Sequence, residues 1–289
     1  MRAYLPAYEL VVPRTLTEAL ALLRDEPGVW RPFAGGTDLM VLLEAGRLEH
    51  RKFFSIRHLR ELRGVEESDG VVRVGALATY TDVRRSELLG QLFPMLGQAA
   101  RETGGLAIQN RGTVGGNIAN ASPAADTPPA LLVYGAEVEL VSAGGARRVA
   151  YAEFHTGYKQ TLMRADELIA AVILPKPPEG ARHFYRKVGT RRAQAISKVC
   201  FAAVAEVEGE SLTEVRVALG SVAPVVLRCR RTEELLRGHR LDEALTRAAV
   251  GEVGREVTPI DDVRSTARYR TRVAQNLLGE FLSGLGSRQ

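Results

Sequence analysis

Cysteine is scarce in this sequence, and its scarcity excludes an iron-sulfur cluster built by this chain alone. Only Cys200 and Cys229 occur among 289 residues, far apart and without a Cys-x-x-Cys pair, whereas such a cluster takes about four cysteine thiolates. The five histidines show no metal-ligand spacing with nearby carboxylates or cysteines. We therefore predict two buried, reduced thiols and no metal site.

Long apolar runs and long basic blocks are missing as well. No window approaches the roughly 20 apolar residues that span a bilayer, and the first 13 residues carry charge and proline where a signal peptide needs an apolar run. We expect a cytoplasmic protein without an integral membrane segment. The formal charge of +5 comes from basic residues scattered among acids, which argues against nucleic acid as a partner.

Apolar residues are abundant enough for a folded protein with two cores. Hydrophobic residues make up 45% of the chain and charged residues 25%, which is the balance of ordinary soluble domains. The length lies near the size, roughly 250 to 300 residues, at which a single core stops growing. The segment 175–180, Pro-Lys-Pro-Pro-Glu-Gly, is the predicted domain boundary.

Periodicity predicts mixed helices and strands before this boundary and a sheet followed by helices after it. Before it, we predict a helix that starts with a capping box at Thr15 to Glu18, a helix from Leu39 to Gly46, a short helix at 58–62, and strands at 29–33, 52–56, 71–75, 136–141, 147–152 and 167–174. After it, we predict an antiparallel meander at 184–188, 196–207 and 212–219, with a turn at 208–210, and helices at 232–237, 242–250 and 267–281. The stretch 104–126, rich in Gly, Asn, Ala and Pro, is predicted to be irregular.

Two glycine pairs are candidate contacts for a pyrophosphate. They lie in Ala34-Gly-Gly-Thr-Asp38, at a strand-to-helix turn, and in Thr113-Val-Gly-Gly-Asn117, within the irregular stretch. Backbone N–H groups can approach a pyrophosphate closely only where side chains are absent. Neither pair has the spacing of a Rossmann or Walker motif, and each one alone indicates no more than a tight turn.

The longer motifs around these glycines resemble a known family. The run Thr113 to Asp126 is similar to the second flavin motif of the xanthine dehydrogenase and carbon monoxide dehydrogenase family, and Phe33-Ala-Gly-Gly-Thr-Asp-Leu39 is similar to the first. Three further runs match in the same order, so that the resemblance covers nearly the whole chain: Asp166 to Ile169, Arg186 to Lys198 and Gly220 to Pro224.

This resemblance implies the fold class and the cofactor. It implies an α+β protein with a vanillyl-alcohol-oxidase-type, two-lobed FAD-binding domain at 1–175, whose lobes cover about 1–56 and 57–175. A smaller C-terminal domain of antiparallel sheet plus helices is expected at 181–289. The cofactor is FAD, and we expect non-covalent binding because neither glycine motif carries the His or Cys to which relatives in the wider superfamily attach flavin.

The resemblance also assigns the residues that contact FAD, and no catalytic residue. The pyrophosphate and ribityl chain are assigned to Phe33, Ala34, Gly35, Gly36, Thr37 and Asp38, followed by Leu39, and to Thr113, Val114, Gly115, Gly116 and Asn117. The flavin site is assigned to Gly112, Asn120, Ala125 and Asp126, with Thr103, Gly104 and Ile108 in the contacting stretch. Leu168 and Ile169 are placed against the adenine or the ring system, and Lys187 is placed near the isoalloxazine.

Lys187 and Asp126 are candidate tuners of the flavin. A cation near the ring favours its anionic reduced form and raises the redox potential, whereas a carboxylate lowers the potential. The alternative interpretations are a surface lysine on a strand, and an N-cap for the helix from Thr127 onward. The resemblance does not identify the residue that stacks on the flavin, which would lie near Thr103 or Arg191.

The family combines three redox units, and this chain matches only the flavin unit. We expect an iron-sulfur (2Fe-2S) small subunit and a molybdenum-pterin large subunit as separate partners in a dimer of heterotrimers, and an external electron acceptor. The alternatives are a self-sufficient flavin oxidase or reductase, and a non-enzymatic or nucleic-acid-binding scaffold. Arg111 to Gly116 resembles the carbon monoxide dehydrogenase side of the family and Thr190 to Lys198 the purine and nicotinate hydroxylase side, so that the substrate stays open.

Overall fold

The computed structural model describes residues 7–191, 194–209 and 211–286. Parts of the sequence-based predictions lie outside these ranges: residues 1–6 of the opening segment and of the first lobe, Arg192 and Ala193 of the Arg186 to Lys198 motif, Glu210 of the meander turn, and residues 287–289 of the C-terminal domain.

The first lobe is a three-stranded parallel sheet with one helix packed on it. Its elements are β1 (Glu9–Val11), α1 (Leu16–Asp25), β2 (Arg31–Phe33), α2 (Leu39–Glu44) and β3 (Lys52–Ser55), with strand order β1-β3-β2. Helix α1 buries Ala19, Leu20 and Leu23 against a core that includes Trp30 and Phe54. Helix α2, by contrast, has no buried residue.

The start of α1 forms its predicted cap only in part. Thr15 Oγ1 accepts a hydrogen bond from the Glu18 N–H at 3.2 Å, as an N-cap should. The Glu18 carboxylate, however, accepts from the Arg14 N–H at 2.7 Å, one residue before the N-cap. The reciprocal half of the predicted capping box therefore moves outward by one residue.

The second lobe is a five-stranded antiparallel sheet covered by short helices. A 3-10 helix (Arg60–Leu62) leads into the sheet, whose strand order is β4-β5-β10-β6-β7. The elements are β4 (Val65–Ser68), β5 (Val71–Gly75), α3 (Tyr80–Arg85), α4 (Glu87–Leu92), α5 (Pro94–Glu102), α6 (Leu106–Gln109), α7 (Val114–Asn120), α8 (Pro128–Val133), β6 (Glu137–Ser142), β7 (Gly145–Ala150), α9 (Tyr151–Phe154), the small hairpin of β8 (His155–Gly157) and β9 (Gln160–Thr161), and β10 (Leu168–Pro175).

The prediction that 104–126 is irregular is wrong, because this stretch contains α6 and α7. Thr113 caps α7 by accepting from the Gly116 N–H at 3.1 Å. Val114 and Ile118, four residues apart, are both buried on one face of this helix. Tertiary packing of that face outweighs the low helix propensity of the two glycines.

Over its described residues, the C-terminal domain is a four-stranded antiparallel sheet in sequence order with three helices. Its elements are β11 (Arg182–Val188), β12 (Val199–Glu208), β13 (Ser211–Gly220), β14 (Leu227–Arg228), α10 (Arg230–Leu236), α11 (Glu243–Glu256) and α12 (Ala267–Gly286). The predicted antiparallel arrangement of the first three strands is present. We propose that the two domains, 1–175 and 181–289, divide in the segment 176–180, between β10 and β11.

The sheet of the C-terminal domain is buried on both faces. On β12, Phe201 and Ala203 pack with the helices of their own domain, including Phe281. The alternating residues Cys200 and Ala202 join the core of the second lobe instead. This explains the unbroken apolar run of β12, because a strand covered on both sides lacks a polar face. The apolar core of the second lobe thus extends into the C-terminal domain, whose helices cover a separate core on the other face of the sheet.

A buried carboxylate, that of Glu167, lies directly before β10 and binds an arginine of β7 in the sheet of the second lobe. The Glu167 side chain is 1% exposed and accepts hydrogen bonds from Arg147 Nε at 2.6 Å, Arg147 Nη2 at 2.9 Å and the Arg164 N–H at 2.8 Å. Burial raises the pKa of Glu167, but the hydrogen bonds and charges of Arg147 and Arg164 outweigh this effect, so that the net pKa lies below the usual value of a glutamate.

We expect Glu167→Gln to lower the free energy of unfolding by about 1 to 3 kcal/mol at pH 7, because charge-assisted hydrogen bonds are lost. A lowered folded-state pKa stabilises the protein above the unfolded-state pKa, and this stabilisation is lost as pH falls through the folded-state value. The difference from wild type should therefore narrow below pH 4.5 in urea unfolding. Glu153→Gln, at an exposed carboxylate, is the matched control. An equal difference at pH 7 and pH 3.5 would contradict this interpretation.

Candidate functional site

The two glycine segments meet between the lobes. Gly35 lies so close to the Arg111 carbonyl that a Cβ at Gly35 would overlap the carbonyl oxygen. Arg111 Nε donates to Gly35 O at 3.4 Å, and Asn120 Nδ2 donates to Asp38 Oδ1 at 3.2 Å. Segments that are about 80 residues apart in sequence are thus joined, as the resemblance requires of a shared site.

The first glycine segment offers a row of free backbone donors. Within the described ranges, the N–H groups of Gly35, Gly36, Thr37 and Asp38 donate no hydrogen bond to the protein. Gly36 has φ +77°, a conformation that side chains other than glycine disfavour. Consecutive N–H groups in such a turn form a concave site for anionic oxygens, so this segment fits the pyrophosphate of FAD.

The second glycine segment uses its donors inside the protein. The N–H groups of Val114 and Gly115 donate to Ala78 O at 2.9 Å and Ala76 O at 2.8 Å, and the Asn117 N–H donates to Thr113 O at 3.0 Å. A Cβ at Gly115 would stand 2.6 Å from the Ala76 Cβ. This glycine therefore permits close packing of α7 on the chain after β5, and the pyrophosphate contact assigned to this segment stays a prediction.

A crevice of about 250 Å³ opens where the two lobes meet. Ala34 and Gly35 line it from the first lobe, and Leu77, Thr79 and Thr113 line it from the second. Thr79 was missed by the sequence analysis as a site residue. It lies next to the second glycine segment because it caps α3 and forms a bridge with Thr113.

The remaining predicted contacts are absent from the described lining of this crevice and differ in burial. A Cβ added at Gly112 would stand 2.8 Å from the ring of Tyr80, and a Cβ added at Gly104 would stand 2.8 Å from the side chain of Ile108. Thr103 Oγ1 donates to Ala99 O at 2.8 Å. Several other predicted contacts fall into three groups: buried side chains at Ala125, Leu168 and Ile169, partly exposed ones at Phe33, Thr37 and Leu39, and the amide of Asn117, which accepts from Thr127.

Lys187 and Asp126 form a buried ion pair between the domains. Lys187 Nζ donates to Asp126 Oδ2 at 2.7 Å and to Glu102 O at 2.8 Å, and Ser197 Oγ donates to Asp126 Oδ1 at 2.6 Å. The Lys187 side chain is 3% exposed. Burial raises the pKa of Asp126, whereas Lys187 and Ser197 oppose this effect. Because the two charges compensate each other, the pair presents little net charge to its surroundings.

Both alternative interpretations of this pair are wrong. Lys187 is not a surface lysine, because its ammonium group is buried against the second lobe. Asp126 does not cap α8, since the N-cap of this helix is Thr127, which makes no side-chain capping bond. The role of either residue in tuning the flavin stays a prediction.

Two residues missed by the sequence analysis surround the pair. Tyr185 OH donates to Asp126 O at 3.2 Å, and Cys200 Sγ donates to Tyr185 OH at 3.3 Å. Their signal in the sequence is weak, because Cys200 lies between apolar neighbours and Tyr185 follows a phenylalanine on its strand, as is typical of core positions.

Comparisons with known proteins agree with this geometry. The family described as "FAD binding domain in molybdopterin dehydrogenase" matches residues 6–177, and "CO dehydrogenase flavoprotein C-terminal domain" matches residues 183–285. The xanthine dehydrogenase FAD-binding subunit of Escherichia coli O157:H7 is 32% identical over 273 residues, which cover 93% of this chain and 92% of the relative. The glyceraldehyde dehydrogenase medium chain of Sulfolobus acidocaldarius is 30% identical and covers 95% of this chain and 96% of its own.

Solved structures show the same fold. A chain of the carbon monoxide dehydrogenase from Hydrogenophaga pseudoflava, in a form that lacks the Mo-pyranopterin moiety of the molybdenum cofactor, matches with a TM-score of 0.93 at 27% identity and covers 97% of both chains. A quinoline 2-oxidoreductase from Pseudomonas putida 86 matches with a TM-score of 0.90 at 25% identity and 97% coverage of both chains.

Fold and site together define a FAD-binding flavoprotein and oxidoreductase component. The chain belongs to the FAD-binding subunits of the molybdenum hydroxylase family. The predicted family, fold class and cofactor are confirmed. Among the helices of the described ranges, none has both the length and the apolar composition to span a bilayer.

We expect Gly36→Ala to weaken FAD binding by roughly tenfold or more, because strain at a positive φ costs about 1 to 3 kcal/mol and distorts the row of donors. The added Cβ would also meet the Phe33 ring at 2.7 Å. Gly46→Ala is the matched control. Gly46 follows the C-terminal end of helix α2, which begins after the first glycine segment, and it also has a positive φ of +68°, but no atom lies within 4 Å of its Cβ position. Calorimetric titration of the apoprotein measures both affinities. Equal affinity in the two variants would contradict the assignment.

Proposed function

We propose that this chain is the electron-relay subunit of a molybdenum hydroxylase. It binds FAD non-covalently, receives electrons from an iron-sulfur subunit and passes them to an external acceptor. The observation that carries this proposal is the row of four free N–H groups at Gly35 to Asp38 beside an interlobe crevice. Full-length similarity to relatives that are FAD-binding subunits by name supports it.

Bound FAD supplies the redox centre, because a flavin accepts electrons in pairs or singly and so connects one-electron and two-electron partners. The residues of this chain bind and position it. The segment Gly35 to Asp38 would donate hydrogen bonds to the pyrophosphate, and Gly115 lets α7 pack closely on the chain after β5. The Lys187 and Asp126 ion pair holds the C-terminal domain against the second lobe.

The chemistry of the cysteines supports non-covalent binding. Both thiols are buried, and burial raises the pKa of Cys200 and of Cys229. A thiol with a raised pKa carries little thiolate and is a poor nucleophile towards a flavin. His155, in the second lobe, is held by a hydrogen bond between its Nε2 and Ile118 O at 2.9 Å.

The proposed partners follow from what this chain does not supply. Its two cysteines are too few for a cluster, so that electrons must arrive from another polypeptide. Several relatives carry names of multi-chain enzymes, including the carbon monoxide dehydrogenase medium chain and the nicotine 6-hydroxylase medium subunit. We therefore propose a 2Fe-2S small subunit and a molybdenum-pterin large subunit as partners in a cytoplasmic complex.

Anaerobic stopped-flow spectroscopy tests this relay. The isolated FAD-loaded chain should be bleached by dithionite and reoxidised by an acceptor, yet purines, aldehydes, nicotinate and carbon monoxide should leave its flavin oxidised. Adding the two partner subunits should restore bleaching by the substrate of the complex. Bleaching by any of these substrates with this chain alone would contradict the relay and favour a self-sufficient flavin enzyme.

A further inference from the structure

Three arginines line the crevice between the lobes without a carboxylate partner. Arg57 and Arg63 flank the 3-10 helix after the first lobe, and Arg111 precedes the second glycine segment. Within the described part of the chain, none of the three forms an ion pair. Unpaired guanidinium groups gathered in one crevice repel each other, so that an anion bound among them gains free energy.

Two of these guanidinium groups are held in place by single hydrogen bonds. Arg63 Nη2 donates to Arg57 O, and Arg111 Nε donates to Gly35 O at 3.4 Å. A guanidinium has five N–H donors, so that most of the donors on each group stay available to a ligand. The bond to Gly35 O also places Arg111 directly beside the free N–H groups of the first glycine segment.

The crevice carries a net charge that suits a pyrophosphate. Among its described lining residues, Asp82 supplies one carboxylate, whose Oδ2 accepts from the Thr79 N–H at 2.8 Å and the Thr79 hydroxyl at 2.7 Å. With the three guanidinium groups, the lining has a net charge of two positive, which equals the charge of a dinucleotide pyrophosphate with opposite sign. Arginine is well suited to this ligand, because its planar donors match phosphate oxygens in bidentate geometry.

We propose that Arg57, Arg63 and Arg111 bind the pyrophosphate of FAD and thereby make the affinity depend on the phosphates of the cofactor and on ionic strength. This inference rests on FAD as the ligand in the proposed function. The three arginines would add side-chain cations to the backbone donors of Gly35 to Asp38. Arg57 and Arg63 lie outside both glycine segments, and Arg111 lies two residues before the second one.

Flavin fluorescence titration of the apoprotein tests the proposal with Arg57→Gln, Arg63→Gln and the double variant. Each single change should raise the Kd of FAD by roughly three- to tenfold, and the double change should raise it further, because charge-assisted hydrogen bonds are lost. The Kd of riboflavin, which has no phosphate, should stay the same. Raising the salt concentration should weaken FAD binding to wild type more than to the double variant.

Arg60→Gln is the matched control, since Arg60 is an exposed arginine on the same 3-10 helix and does not line the crevice. It should keep the wild-type Kd of FAD. Circular dichroism of the apoproteins checks that each variant is folded, and ADP competition on wild type gives a measurement that needs no variant.

ADP carries a pyrophosphate without a flavin and should displace FAD from wild type, with at least tenfold weaker competition against the double variant. If ADP binds without displacing FAD, the crevice is a separate anion site and the proposal is overturned. Wild-type FAD affinity and salt dependence in the double variant would overturn it as well. The relay is decided separately, because it depends on substrate-dependent bleaching and not on the affinity of these variants.

Discussion

The close approach of Gly35 to the Arg111 carbonyl is the constraint on which the site depends. No Cβ can be accommodated there, so that a residue without a side chain lets the first lobe rest directly on the second. This contact fixes the width of the crevice and orients the following residues, Gly36 to Asp38, with their N–H groups unpaired. The apolar core under α1 and the sheet of the second lobe serve as rigid supports on either side of it.

The C-terminal domain is held to the second lobe by a strand that is buried on both faces. Strand β12 contributes one face to its own helices and the other to the core of the second lobe, and the Lys187 and Asp126 pair lies at the seam. Removing one partner of a buried ion pair typically costs about 3 to 5 kcal/mol, because the remaining charge is left without compensation. The two domains are therefore expected to unfold together.

The sequence is most informative about local features and least informative about contacts between distant segments. Strand β5, for example, was predicted at 71–75 and observed at Val71–Gly75, because an alternating pattern and a turn at Asp69 and Gly70 define it locally. Helix α7 was missed, because its two glycines have low helix propensity and only tertiary burial of Val114 and Ile118 stabilises it. The local sequence pattern also gave a wrong prediction at Asp126. Its carboxylate does not cap a helix and instead accepts a hydrogen bond from Lys187, 61 residues away in sequence.

The candidate site shows the same division. The first glycine motif could be predicted from its own residues together with a family resemblance, whereas its free donors became visible only when the acceptors around it were known. None of the three crevice arginines was predicted as an FAD contact. Arg57 and Arg63 lie some 50 residues before Arg111, and each of the three taken alone is indistinguishable from the scattered surface charges of the chain.

Hydrogen-deuterium exchange of the chain with and without FAD tests the central claim most directly, because it reports on individual backbone N–H groups. In the apoprotein, the amides of 35–38 should exchange rapidly, since they have no acceptor, and those of 114–117 should exchange slowly, since they are bonded within the protein. FAD should strongly slow exchange at 35–38 and change 114–117 little. Unchanged exchange at 35–38 in the FAD-saturated protein would contradict the account.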